Sequence, residues 1–190
     1  MKNVFFTLIA AGLLFGAVLS PASPVYAQEV VKGVTIVKPA QTDNPTAQAN
    51  VGVIIEYFSL YLGDLDKFYS LWVKDNPAIY TPMVGKDVAT AAVTEHLGWE
   101  AVRAFYDPIF KNMKGAFLWT IDEFIIGENP NVIVTKSRSQ IDVTAGGVFG
   151  DGKKLKYNGV YVQIFTFENG KVKSFEEYFD TALLNSQYGS

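Results

Sequence analysis

The chain has 190 residues, a formal net charge of −3, 14% aromatic residues, one histidine and no cysteine. A weakly acidic chain without a basic block is not built to hold nucleic acid or an anionic membrane surface. Without cysteine there are no disulfides or thiolate metal sites, and one histidine excludes a histidine-rich metal site, so stability must come from packing.

Lys2 followed by the apolar run Val4 to Leu19, a Ser-Pro break at 20–24 and Val25-Tyr26-Ala27 reads as a secretory signal peptide cleaved after Ala27. The alternative, an uncleaved anchor, has a rather short run for about 30 Å of hydrocarbon. The expected location is secreted or periplasmic, with no lasting membrane insertion. Residues 28–45 read as a surface leader, weakly strand-like at Val34 to Val37, and 46–190 as one domain.

Asp43-Asn44-Pro45 caps a first helix with the stripe Val51, Ile54, Ile55, Phe58 and Leu62. Asp64 caps a second, with Leu65, Phe68, Leu71 and Trp72, ended by Asn76-Pro77. Ala78 to Thr81 is a short strand, 83–97 a loop, and a third helix carries Trp99, Val102, Tyr106, Ile109, Phe110 and Met113, with a kink or split expected at Pro108. The period then becomes two, over Ala116 to Ile126, Asn131 to Val143, Leu155 to Phe167 and Lys171 to Asp180. Asn169-Gly170 marks a tight hairpin. This order predicts an α+β fold, three helices packed on one face of a strongly curved, mostly antiparallel sheet.

The last strand sets Phe175, Glu177 and Phe179 on one face. A carboxylate between two phenylalanines, if buried, has its pKa raised. The alternative is an outward Glu177, or one paired with Lys173 on the same strand face.

The motifs GDLDKF, GWEAVRAFY and ENGKVKSFEEYFD, in this order over Thr46 to Gly189, resemble the nuclear transport factor 2-like superfamily and, within it, the SnoaL-like branch. The resemblance implies a cone-shaped barrel around a pocket and a homodimer. It does not choose among isomerases, cyclases, epoxide hydrolases and non-catalytic members. The three ketosteroid isomerase positions fall on Glu56, Thr81 and Gln163, which depart from the Tyr and two Asp of that mechanism. Similarity to the epoxide hydrolases, which carry Arg-x-Asp on one strand, pairs Asp142 with Glu177. Gln140 stands in place of that arginine, and Arg138 lies two residues upstream of it on the same strand face. Tyr80 and Thr81 are nearest the water-holding positions. Phenazine-biosynthesis A/B-type proteins carry a Glu matching Glu177, and the polyketide cyclase ending resembles Asp180 with Gln187-Tyr188-Gly189.

The resemblance thus implies catalysis by Glu177, Asp142, His96 and Arg138, and ligand contacts from Tyr57, Tyr61, Tyr80, Tyr106, Tyr161, Gln163 and Asp180. Two alternatives stay open: Asp180 as a helix cap and His96 as an ordinary loop residue. Arg103 reads as structural, paired with a carboxylate on the sheet. The expected function is acid–base chemistry on a small apolar, oxygenated molecule, with no metal and no organic cofactor. The alternative is a non-catalytic carrier of such a molecule, or a dimeric interaction domain.

Overall fold

A computed structural model describes residues 28–82, 93–147 and 150–188. The signal-peptide reading of 1–27 and the loop reading of 83–92 lie outside the described residues. The elements are β1 (Glu29–Val31), β2 (Val34–Ile36), α1 (Pro45–Ser59), α2 (Leu65–Ser70), β3 (Ala78–Pro82), β4 (Val93–Leu97), α3 (Gly98–Asn112), β5 (Met113–Ile126), β6 (Val132–Ala145), β7 (Lys154–Tyr157), β8 (Val160–Glu168), β9 (Lys171–Phe179) and α4 (Thr181–Tyr188). One sheet runs β1-β2-β5-β6-β8-β9-β3-β4, with β7 also on β6. The α+β architecture is as expected from the sequence.

Local chemistry explains the helix starts. The Asn44 side chain accepts from the Thr46 and Ala47 amides ahead of α1, with Pro45 in the first turn, and Asp64 accepts from the Lys67 amide ahead of α2. These caps satisfy amides that a helix leaves without partners. Helix α1 buries Ala47, Val51, Ile54 and Phe58, and α3 buries Val102 and Tyr106. Helix α3 runs through Pro108 as one element rather than splitting there. Its buried face outweighs the one hydrogen bond that the proline removes.

Four expectations need correction. Helix α2 stops at Ser70, because the chain then pairs with β9: the Val73 amide donates to the Val172 carbonyl and the Val172 amide to the Leu71 carbonyl. The leader is not a surface layer. Val34 and Ile36 are 1% and 3% exposed, and β2 lies parallel to β5 with Ile36 opposite Ile121. Residues 93–97 form β4, antiparallel to β3 with His96 opposite Ile79, so His96 is a strand residue. The stretch Leu155 to Phe167 is two strands, β7 and β8, both paired with β6. The break falls at Asn158-Gly159. A Cβ on Gly159 would stand 2.2 Å from the Tyr157 ring, and the Ser139 amide donates to the Gly159 carbonyl across the gap.

Register shifts at Ile121/Glu123 and Thr166/Phe167 bend the sheet. Asn169 and Gly170 turn with φ of 53° and 72° between β8 and β9, as that dipeptide favours. The helices pack into the concave side, where Ile54, Phe58, Phe68, Tyr106, Ile121, Ile133 and Phe165 belong to one apolar cluster.

Candidate functional site

On β8 and β9, Phe175 stands opposite Phe165, Glu177 opposite Gln163 and Phe179 opposite Tyr161. All three β8 partners are buried, so the Glu177 row faces the inside of the sheet. Lys173 does not meet Glu177: its ammonium pairs with Glu168 at 3.1 Å and donates to the Asp75 carbonyl at 2.9 Å.

A polar relay holds the carboxylate. The Thr135 and Ser137 hydroxyls, both on β6, donate to Gln163 Oε1 at 2.9 and 2.6 Å. With its oxygen taken by two donors, the amide turns Nε2 to donate to Glu177 Oε2 at 3.0 Å. Thr135, Ser137 and Gln163 are all fully buried. Burial pushes the Glu177 carboxyl up to about 7, against the weaker lowering effect of the Gln163 donor. A half-buried carboxyl that titrates near neutrality can both take and return a proton. Gln163→Leu removes that donor, so the Glu177 pKa is expected to rise further. Carboxyl-carbon NMR titration of Glu177 reads the shift, and an unchanged or lower value overturns the relay's role.

Four tyrosines lie within electrostatic reach of this carboxylate. Burial raises the pKa of Tyr57, Tyr61, Tyr106 and Tyr161 well above the ordinary phenol value, and the nearby Glu177 charge adds to each rise. All four therefore stay protonated and can donate. The Tyr57 and Tyr106 hydroxyls are bonded to each other, and the Tyr161 hydroxyl shares a 2.9 Å hydrogen bond with Ser139. Tyr57 is fully buried and packs on Phe58, Phe68, Trp72, Phe165 and Phe175, which makes it core rather than lining. Tyr106, equally buried, stands in the same cluster. Tyr61, partly buried, packs on Phe117 and Trp119.

The other sequence-derived candidates lie elsewhere. Asp142 is on the outer face of β6, its side chain 56% exposed and paired with Lys156 at 3.0 Å. Arg138 is on the same outer face and grips Asp122, the residue at the β5 register shift, with Nη2 to Oδ1 at 2.6 Å. Neither can reach Glu177, because Ile133, Ile141 and Val143 claim the inner face of β6. Tyr80 stands opposite Glu176, the outward neighbour of Glu177, and lines an outer cleft instead. Asp180 is a helix cap: its Oδ1 accepts from the Leu183 amide at 2.8 Å at the start of α4. His96 lies against Phe105 at 5.0 Å, and burial lowers its pKa, so the ring is neutral at pH 7. No cation and no second carboxylate partners Glu177 among the described residues.

Sequence reading passed over Thr135, Ser137, Ser139 and Trp119. The signal was present: 133, 135, 137, 139, 141 and 143 form one period-two row in which hydroxyls interrupt apolar residues. Trp119 stands opposite Ser139, packs on Tyr161 at 5.0 Å, and its buried Nε1–H has no partner among the described residues.

A protein classed as a SnoaL-like polyketide cyclase, from Jannaschia sp. CCS1, matches with a TM-score of 0.59 at 13% identity, over 80% of this chain and 99% of that one. The chain has the fold of SnoaL-like and nuclear transport factor 2-like proteins. A phenazine biosynthesis-related protein from Pseudomonas aeruginosa shares this fold, with a TM-score of 0.58 at 13% identity over 80% of this chain and 88% of that one. So does the epoxide hydrolase/cyclase-like enzyme of pyran ring formation in the polyether salinomycin, at 0.52 and 17%, over 72% and 94%. No family model and no curated protein matches the sequence. The SnoaL-like fold puts the Glu177 row on the concave side of its curled sheet.

Proposed function

We propose that the chain catalyses proton transfer on a small, mostly apolar, oxygenated molecule, with Glu177 as its one acid–base group. The observation that carries this reading is a carboxyl brought near pH 7 by burial, held by Gln163 and within electrostatic reach of the protonated Tyr61 and Tyr161. In its ionised form Glu177 takes a proton from carbon or oxygen of the ligand. In its neutral form it returns that proton to another atom, so no net proton is consumed. The Tyr61 and Tyr161 hydroxyls stay protonated and can donate to an oxygen that gains charge in between. Isomerisation, ring closure and addition or loss of water all share this pattern. The fold neighbours described as cyclase, isomerase and epoxide hydrolase/cyclase-like are consistent with that range. The expected two-carboxylate arrangement with Asp142 is not part of the proposal, since Asp142 faces outward.

The test is a panel of cyclic ketones, enones and epoxides in D₂O, read by deuterium uptake and product formation. Expected is a kcat/KM that rises through about pH 7 as Glu177 ionises. Turnover with a flat profile from pH 5 to 9 overturns the role of Glu177. The second reading, a carrier without catalysis, is favoured by the lack of any cation or second carboxylate beside Glu177 among the described residues. It predicts saturable binding of the same panel with no deuterium uptake.

A further inference from the structure

A second cleft, of about 650 Å³, opens beside α2 and α3, and no residue of the Glu177 row lines it. Its walls carry Arg103, Lys74 and Lys171, with the rings of Tyr69 and Trp99 beside them and Trp72 also in the lining. Asp66 is the one carboxylate in that lining. Three cations against one anion is the reverse of the chain as a whole, which carries −3.

Arg103 was expected to pair with a carboxylate on the sheet, and it does not. Its guanidinium carbon lies 5.6 Å from the ring centroids of both Tyr69 and Trp99. Among the described residues no carboxylate reaches it at ion-pair distance. Asp107, one turn further along α3, is already held by the Tyr69 hydroxyl at 2.6 Å and by Lys111 at 2.5 Å. The guanidinium is thus positioned by two rings, and its N–H groups have no protein acceptor among the described residues.

The neighbouring groups point to the same ligand chemistry. Lys171 is fixed at the rim by the Ser70 carbonyl at 2.6 Å, and Lys74 is exposed with no ion pair among the described residues. Trp72 is 1% exposed, and its Nε1–H has no hydrogen-bond partner among the described residues. Donors of two kinds therefore line one cleft: a planar fork and two ammonium groups.

We propose that this cleft is a binding site for a small organic oxyanion, a phosphate monoester or a carboxylate. The Arg103 fork takes two of its oxygens, and Lys74 and Lys171 offset its charge. A planar guanidinium placed beside two aromatic rings suits this geometry, which lysine does not reproduce.

Phenyl phosphate, benzoate and neutral benzyl alcohol are the probes, titrated into the full chain by calorimetry and by NMR of the tryptophan indole N–H groups. Expected is binding of phenyl phosphate or benzoate, or both, with movement of the Trp72 and Trp99 signals and much weaker binding of benzyl alcohol. Arg103 is exposed, so Arg103→Gln leaves the fold intact and should weaken anion binding about tenfold or more. Arg103→Lys should restore only part of it, and Lys114→Gln, outside the cleft, should change nothing. Preference for phenyl phosphate assigns the site to phosphate esters, and equal binding assigns it to oxyanions generally. Unchanged affinity in Arg103→Gln, an equal loss in Lys114→Gln, or still indole signals overturns the site. Glu177→Gln should leave this binding unaltered, so failure here and failure of the proton-transfer reading are separable.

Discussion

Glu177→Gln is expected to lower turnover by about 10²–10⁴-fold and, in the same protein, to stabilise the fold above pH 7. Glutamine keeps the shape of the side chain and its carbonyl still accepts from Gln163, while the titratable proton is gone. The stability gain follows from the direction of the pKa shift. An unfolded glutamate titrates near its ordinary value of 4.5, and in the fold it titrates at about 7. The folded state therefore favours the neutral form. That contribution is complete below about pH 4.5 and is lost as pH rises through about 7. A shift of this size corresponds to roughly 1–3 kcal/mol, the lower end applying because Glu177 keeps some contact with solvent. Denaturant melts of both proteins at pH 4, 6 and 8 check it. The wild type should lose stability relative to the variant across that series, and parallel curves would refute a buried, neutral Glu177.

The second large effect is structural. Gly115→Ala should destabilise the protein by about 3 kcal/mol. Gly115, the third residue of β5, has φ of 140°, a backbone region that L side chains rarely adopt. A Cβ built there would stand 2.3 Å from the Asp142 carbonyl oxygen and 2.9 Å from Val143 Cα. These are backbone atoms of β6, tied into the long β5–β6 ladder that runs from Met113 opposite Ala145 to Ile126 opposite Ile133, so they have little room to retreat. Gly52→Ala is the control. Gly52 lies exposed in α1 with nothing within 4 Å of an added Cβ, and alanine there should stabilise by about 0.5–1 kcal/mol through the unfolded chain. Midpoints of urea unfolding for the two variants should move in opposite directions. A neutral Gly115→Ala would mean that the start of the hairpin is not held by this close approach.

Much of the fold was legible because its signals are local. Asn44 and Asp64 cap their helices through side-chain acceptors within three residues, and Asn169-Gly170 turns through its own dihedral preference. Elements whose stability comes from distant partners were not legible. Residues 34–36 are too short and weakly patterned to announce a strand, and are ordered by pairing with β5 more than eighty positions away. Helix α2 ends where β9 competes for its backbone, an event with no mark at Ser70 itself.

The candidate site divides in the same way. Period two put Glu177 in line with Phe175 and Phe179, but whether that row faced inward stayed open until β8 set it against buried Phe165, Gln163 and Tyr161. For β6 the same rule was available and was overridden by likeness to an Arg-x-Asp motif. Asp142 shares parity with Lys136, Arg138 and Gln140, whereas Ile133, Ile141 and Val143 hold the other row.

The sequence by itself determined the α+β class, the capped helices and the strand regions of the second half of the chain, apart from the break at Asn158-Gly159. It could do so because caps, turns and alternation act over a few residues. Only the tertiary structure decided that Gln163, Thr135 and Ser137 stand beside Glu177, that Asp142 and Arg138 do not, and that Arg103 lies beside two rings without a carboxylate at ion-pair distance among the described residues. Those facts depend on which strands become neighbours and how far the sheet curls, and they are set by burial of apolar surface across the whole chain.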